Sequence, residues 1–173
     1  MYWIVLFING SLGVNPIDKF MDKLGEMALR LLIGTLLLST LSKYSFFKPL
    51  INIRRMIGLF AFYYVILHFS TYIVLDHFFN WNFIIKDVVK RPFITFGFLS
   101  FLLLIPLALT SNNYMVKKLK FKLWKKIHYL IYIITPLSAI HYYLLTKADK
   151  TEPIIYLILI FILLFYRIFK KLT

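Results

Sequence analysis

The chain has 173 residues, 61% of them hydrophobic, and a mean hydropathy of +0.78. That is too apolar for a soluble domain, which runs nearer half apolar. It has no cysteine, which excludes disulfides, iron–sulfur clusters and thiolate zinc sites. The net charge of +14 sits in short loops between apolar runs; this predicts a polytopic protein surrounded by membrane lipids, and no nucleic-acid partner.

In chain order, residues 1–8 are apolar but cover only about 12 Å as a helix, too little to span. They are expected to be a truncated first helix or an interfacial segment, and they lack the basic leader of a signal peptide. Residues 10–22 read as a loop, with turn chemistry at Gly13 and Asn15-Pro16. Spans are predicted at 24–41, with Arg30 near its first end, and at 55–75, carrying His68, with a connector at 44–52 between them. Residues 76–91 form a loop rich in aromatic residues that suit a membrane interface. Pro92 is placed to start a helix, and further spans follow at 93–111, 128–146 and 153–169, separated by a basic loop at 112–126 and a tight connector at 147–152. The expected fold is all-α: one domain over 1–173, a membrane helix bundle of six-helix type with a truncated first helix and five full spans.

Charge sets the predicted topology. The connector before the His68 span (Lys43, Lys48, Arg54, Arg55), the basic loop (Lys117, Lys118, Lys120, Lys122, Lys125, Lys126) and the tail (Arg167, Lys170, Lys171) carry thirteen cations and no acid. All seven acids fall on the other side. The positive-inside rule makes the thirteen-cation side, with the carboxyl terminus, cytoplasmic.

Ionisable groups inside a hydrocarbon span are costly and usually face the protein interior with a task, and imidazole is a common haem ligand. His68 and His141 lie about thirteen and about fourteen residues into spans that run parallel, so at ~1.5 Å per residue they share a depth in the outer half. This makes them the natural axial pair for one haem; the competing reading is polar contact between helices. His128 falls at the cytoplasmic end, level with Arg54 and Arg55, and is either a ligand of a second cofactor level or an interfacial residue. His77, beside Asp76, reads as interfacial. Arg30 is a candidate to neutralise a haem propionate, or snorkels to the headgroups. Gly34, Gly58 and Gly97 open room for a macrocycle or mark helix contacts.

An ordered series of blocks then carries a resemblance: Gly13-Val-Asn-Pro16, Gly25 with Ala28-Leu-Arg30, Arg54-Arg-Met-Ile-Gly-Leu59, Leu67-His68 with Tyr72, Arg91-Pro-Phe-Ile-Thr-Phe-Gly97, Pro106-Leu-Ala-Leu-Thr-Ser111, Trp124 with His128 and Tyr132, His141-Tyr142, and Pro153 with Tyr156. Over roughly residues 10–170 the chain resembles the MsrQ/YedZ haem-binding subunits of periplasmic protein-methionine-sulfoxide reductase systems, within the ferric-reductase-like transmembrane superfamily. The resemblance implies a multi-pass inner-membrane protein that binds heme b, and FMN in some members. It implies electrons drawn from the quinone pool or a flavin reductase and passed to a periplasmic molybdopterin-containing methionine-sulfoxide reductase subunit. The family's three functional histidines fall on His68, His128 and His141. Where the family has Thr-Pro at the end of the second helix this chain has Ser39-Thr40, so a kink there is not expected.

Two rivals stay open: a ferric-reductase-type cytochrome working with a separate flavin reductase, and a haem-free transporter or assembly factor using histidines as proton relays. The chain itself reads as an electron-transfer subunit, with substrate chemistry on its partner. Electrons enter near His128, Arg54, Arg55 and Trp124, where cations suit a quinone headgroup or flavin phosphate.

Overall fold

A computed structural model of the chain describes residues 5–7, 9–10 and 15–172. The expectation of a truncated first helix at 1–8 and the turn at Gly13 fall largely outside the described residues. Among those residues every regular element is helical: α1 (Pro16–Leu41), α2 (Ile51–Thr71), α3 (Trp81–Lys90), α4 (Pro92–Leu109), α5 (Asn113–His128), α6 (Ile131–Leu145) and α7 (Thr151–Leu172). A 3₁₀ turn, Ser45–Leu50, leads into α2, and a π-helical turn, Tyr72–Asp76, extends it. Four helices are long and apolar enough to cross a membrane: α1, α2 with its flanking turns, α4 and α7. The fifth apolar helix, α6, has 15 residues, about 22 Å at ~1.5 Å per residue.

Three segments expected as loops are helical. Pro16 takes the first helical position of α1, where its missing N–H costs nothing and Asp18 favours the dipole, so residues 16–22 are helix rather than loop. The aromatic loop contains α3, whose start is capped by the Asn80 side chain accepting from the Phe83 N–H at 3.2 Å. The basic loop is α5, capped the same way by Asn112 on the Met115 N–H at 2.8 Å and broken at Lys120, where φ is 57°. The expected helix at 128–146 is also divided: His128 ends α5, and i→i+3 hydrogen bonds through Tyr129 and Leu130 (Leu130 N–H to Ile127 O, 3.0 Å) tighten the chain into a turn before α6 begins.

α1 is the central helix. Half of its most apolar window is buried, against 11% to 17% for the other three long helices. One core cluster joins Leu29, Ile33 and Leu36 of α1 to Ala139 of α6 and to Ile160 and Leu163 of α7. A second joins Leu32 of α1 to Ala61, Leu104, Leu107 and Ile134 on α2, α4 and α6. The outward faces of α2, α4 and α7 keep large apolar side chains exposed, including Phe60, Leu102 and Phe161, as a lipid-facing surface requires. Helix polarity sorts the charges: the acids collect at the end where α1, α4 and α7 start, and the lysine run of α5, with no acid near it, lies at the opposite end.

Candidate functional site

The structure brings His68 and His141 together. His68 comes from the last turn of α2 and His141 from the second half of α6; their ring centroids are 6.2 Å apart and their planes 80° apart. Both rings line one cavity of about 1230 Å³ enclosed by α1, α2, α4 and α6 and reaching the acidic end. Small-molecule pockets run ~300–1,000 Å³, so this one has room for a macrocycle.

Each ring is anchored through Nδ1 to a backbone carbonyl of a neighbouring helix. The His68 Nδ1 meets Met21 O at 2.9 Å and the His141 Nδ1 meets Phe93 O at 2.6 Å. A carbonyl only accepts, so Nδ1 carries the proton and Nε2 the free lone pair. Neither Nε2 has a hydrogen-bond partner among the described residues. Two imidazoles bonded to one metal at about 2 Å each would have ring centres roughly 6 Å apart; the observed separation of 6.2 Å meets that condition. The donor set therefore fits a bis-imidazole haem.

The other expected residues lie elsewhere. His128 is at the basic end and does not line this cavity. Its ring stacks on Trp124 at 4.0 Å, its Nδ1 faces Trp124 O at 3.0 Å, and its Nε2 is 3.4 Å from the Ser111 hydroxyl. Arg54 and Arg55 are near enough to act on it electrostatically. They are held in turn: Arg54 donates to the Ser39 hydroxyl at 3.0 Å and Arg55 to Asn113 Oδ1 at 2.5 Å. Arg30 does not line the cavity; it pairs with Glu26, donates to the Tyr156 hydroxyl at 2.7 Å and comes within 3.8 Å of Glu152. Gly34 and Gly58 sit where α1 and α2 pack, a Cβ on them meeting Ile57 at 3.9 Å and Thr35 at 3.8 Å.

Arg91 and Lys147 do line the cavity, with Arg91 paired to the buried Asp87 at 2.8 Å. They are better placed than Arg30 to meet the carboxylates of a bound porphyrin. His77 also lines it, packed edge-on against Tyr72 at 4.4 Å, its Nε2 3.4 Å from Asp76 and 3.9 Å from Asp87. The two accepting carbonyls stand at similar offsets, Met21 47 residues before His68 and Phe93 48 residues before His141.

The family described as Ferric reductase like transmembrane component matches residues 24–139. The chain is 47% identical over 161 residues to the protein-methionine-sulfoxide reductase heme-binding subunit MsrQ of Caulobacter vibrioides, covering 93% of this chain and 77% of that protein. It is 46% identical to the MsrQ of Herminiimonas arsenicoxydans, over 94% of this chain and 75% of that one. The MsrQ of Brucella ovis is 45% identical, over 92% and 72%. No solved structure matches.

Proposed function

The chain belongs to the MsrQ family of heme-binding subunits among the ferric-reductase-like transmembrane proteins, and from that premise we propose that it is an inner-membrane electron carrier serving a periplasmic molybdopterin-containing methionine-sulfoxide reductase in the repair of oxidised proteins. The single observation that carries the reading is the pair of imidazoles, 6.2 Å apart, each with Nδ1 committed to a carbonyl and Nε2 left for a metal. On this reading His68 and His141 would hold a b-type haem through their free Nε2 atoms. When bound, the haem supplies a one-electron ferric/ferrous couple.

The residues of the chain do the rest. The α2 and α6 histidines hold the couple toward the acidic end, close to a partner docked outside. Arg91 and Lys147, at the cavity wall, would neutralise the propionates. The apolar walls, with Leu32, Leu104 and Ile134, exclude water. At the basic end Arg54, Arg55 and the Trp124-stacked His128 receive the donor, a quinone headgroup or the phosphate of a flavin such as FMN, by charge and stacking. On this topology α6 also crosses, giving five spans, and the turn at Tyr129–Leu130 extends its 15 residues toward the ~30 Å of hydrocarbon. The carboxyl terminus is cytoplasmic.

Stopped-flow spectroscopy tests the direction. His128→Ala is expected to slow haem reduction by a cytoplasmic-side donor at least several-fold while leaving the haem content intact. Chemically pre-reduced protein is expected to be re-oxidised normally by the reductase subunit. Loss of haem from His128→Ala, with haem retained in His68→Ala, would overturn the assignment.

A further inference from the structure

We infer that Gly25 and Gly97 are positioning residues: each seats one of the paired imidazoles against a neighbouring helix, and the two seats together hold the His68 and His141 planes near perpendicular. The inference rests on the haem reading above. A Cβ placed on Gly25 would lie 3.0 Å from His68 Nδ1 and 3.1 Å from its Cε1. One placed on Gly97 would lie 2.9 Å from His141 Nδ1, 3.0 Å from Cε1 and 3.2 Å from Cγ. Even an alanine methyl would therefore press on the ring, which must give by a few tenths of an ångström at Gly25 and shift at Gly97. In both cases the carbonyl that accepts from Nδ1 belongs to the residue four earlier, Met21 for Gly25 and Phe93 for Gly97, which lies on the same helix face one turn away. A seat is thus one carbonyl and one absent Cβ, and it occurs twice, on α1 for α2 and on α4 for α6.

The two parts act differently. The carbonyl fixes which nitrogen carries the proton and, by accepting it, makes the ring a stronger donor to a metal. The glycine fixes the plane. A histidine ring turns easily about its second side-chain torsion, whose preferences are broad; packed against a glycine backbone it cannot turn. The outcome is the 80° angle between the planes. In a low-spin ferric haem, near-perpendicular imidazoles leave the two metal π orbitals almost degenerate, and the electron paramagnetic resonance signal becomes strongly anisotropic. Gly34 on α1 and Gly58 on α2 supply controls, because a Cβ there meets only ordinary contacts at 3.9 and 3.8 Å.

The experiment is electron paramagnetic resonance and redox titration of the oxidised, detergent-purified haem protein. Wild type is expected to give a strongly anisotropic low-spin signal, its lowest-field feature at a larger g value than parallel imidazoles produce. Because 80° is within about 10° of the maximum, a turn of either ring by more than about 20° reduces it in either sense. Gly25→Ala and Gly97→Ala should therefore move that feature to smaller g, or give a high-spin signal where the ring has left the iron. Weaker donation to the carbonyl should also raise the midpoint potential. Gly34→Ala and Gly58→Ala should change neither quantity. A parallel-plane signal in wild type would overturn the inference, as would Gly25→Ala and Gly97→Ala spectra identical to wild type. Where a glycine variant is recovered unfolded, the wild-type spectrum alone decides. Failure of the haem reading itself would be seen separately, as wild-type protein without haem.

Discussion

His68 and His141 differ from His128 in whose carbonyl their Nδ1 meets. His128 is turned back onto its own helix, at Trp124 O one turn earlier, whereas the other two reach across to Met21 and Phe93 on different helices. A ring tied to its own turn is held within its own helix; a ring tied to a neighbour's backbone with its far nitrogen in a cavity is arranged to ligate a metal there. Arg30 gives a second test at this scale. It stands beside Glu26, whose side chain is 5% exposed, and shares that carboxylate with Lys23 at 2.8 Å. Arg30→Gln should therefore lower thermal stability modestly, by about 1 kcal/mol given the exposure of the arginine and the lysine that remains, and should leave the haem absorption unchanged. A lost or shifted haem band would show that Arg30 acts on the cofactor after all. The nearness of His68 and His141 was legible in the sequence because residues at equal depth in parallel spans come level, and the short turn at Tyr129–Leu130 did not upset that count. The seats were not legible, since a backbone carbonyl has no letter in the sequence and Gly25 is indistinguishable there from a packing glycine.

The central helix and the polar ones obey different rules. The apolar spans were readable from hydropathy alone, but the start of α1, all of α3 and all of α5 read as loops, because a polar or amphipathic helix outside the hydrocarbon leaves no apolar run. Asn80 and Asn112 were the available signals, as caps three residues before the N–H groups they accept from. Within α5, Lys120 holds φ 57° and ψ 147°, a region that a side chain occupies at a cost of ~1–3 kcal/mol. Lys120→Gly is expected to raise the melting temperature in detergent and Lys120→Val to lower it; the reverse order would mean that the break in α5 is not held in this conformation. Leu36, 1% exposed between α1, α6 and α7, should cost about 2–5 kcal/mol on truncation to alanine through the void it leaves, read as a fall in thermal midpoint. No change would place α1 outside the core.

For the molecule as a whole, charge and chemistry are separated along one axis. The paired histidines open toward the end that gathers the acids, and His128 lies with the lysines of α5 at the other end. Orientation follows from the same asymmetry: a reporter fused after Thr173 should be active in the cytoplasm, and one inserted beside Asp149 in the periplasm. At the latter turn the Thr151 hydroxyl and N–H hold the Asp149 carboxyl below its usual range, so it remains an anion under any condition in which the reporters are read. Activity in the opposite compartments would invert the proposed direction of electron flow. The most direct test of the central claim, that one haem is held between α2 and α6, is the reduced-minus-oxidised visible spectrum of the purified protein and its three histidine variants. The account predicts a low-spin b-type spectrum in wild type and in His128→Ala, with most of it abolished in His68→Ala and in His141→Ala. Full spectra in both of the latter variants would contradict it.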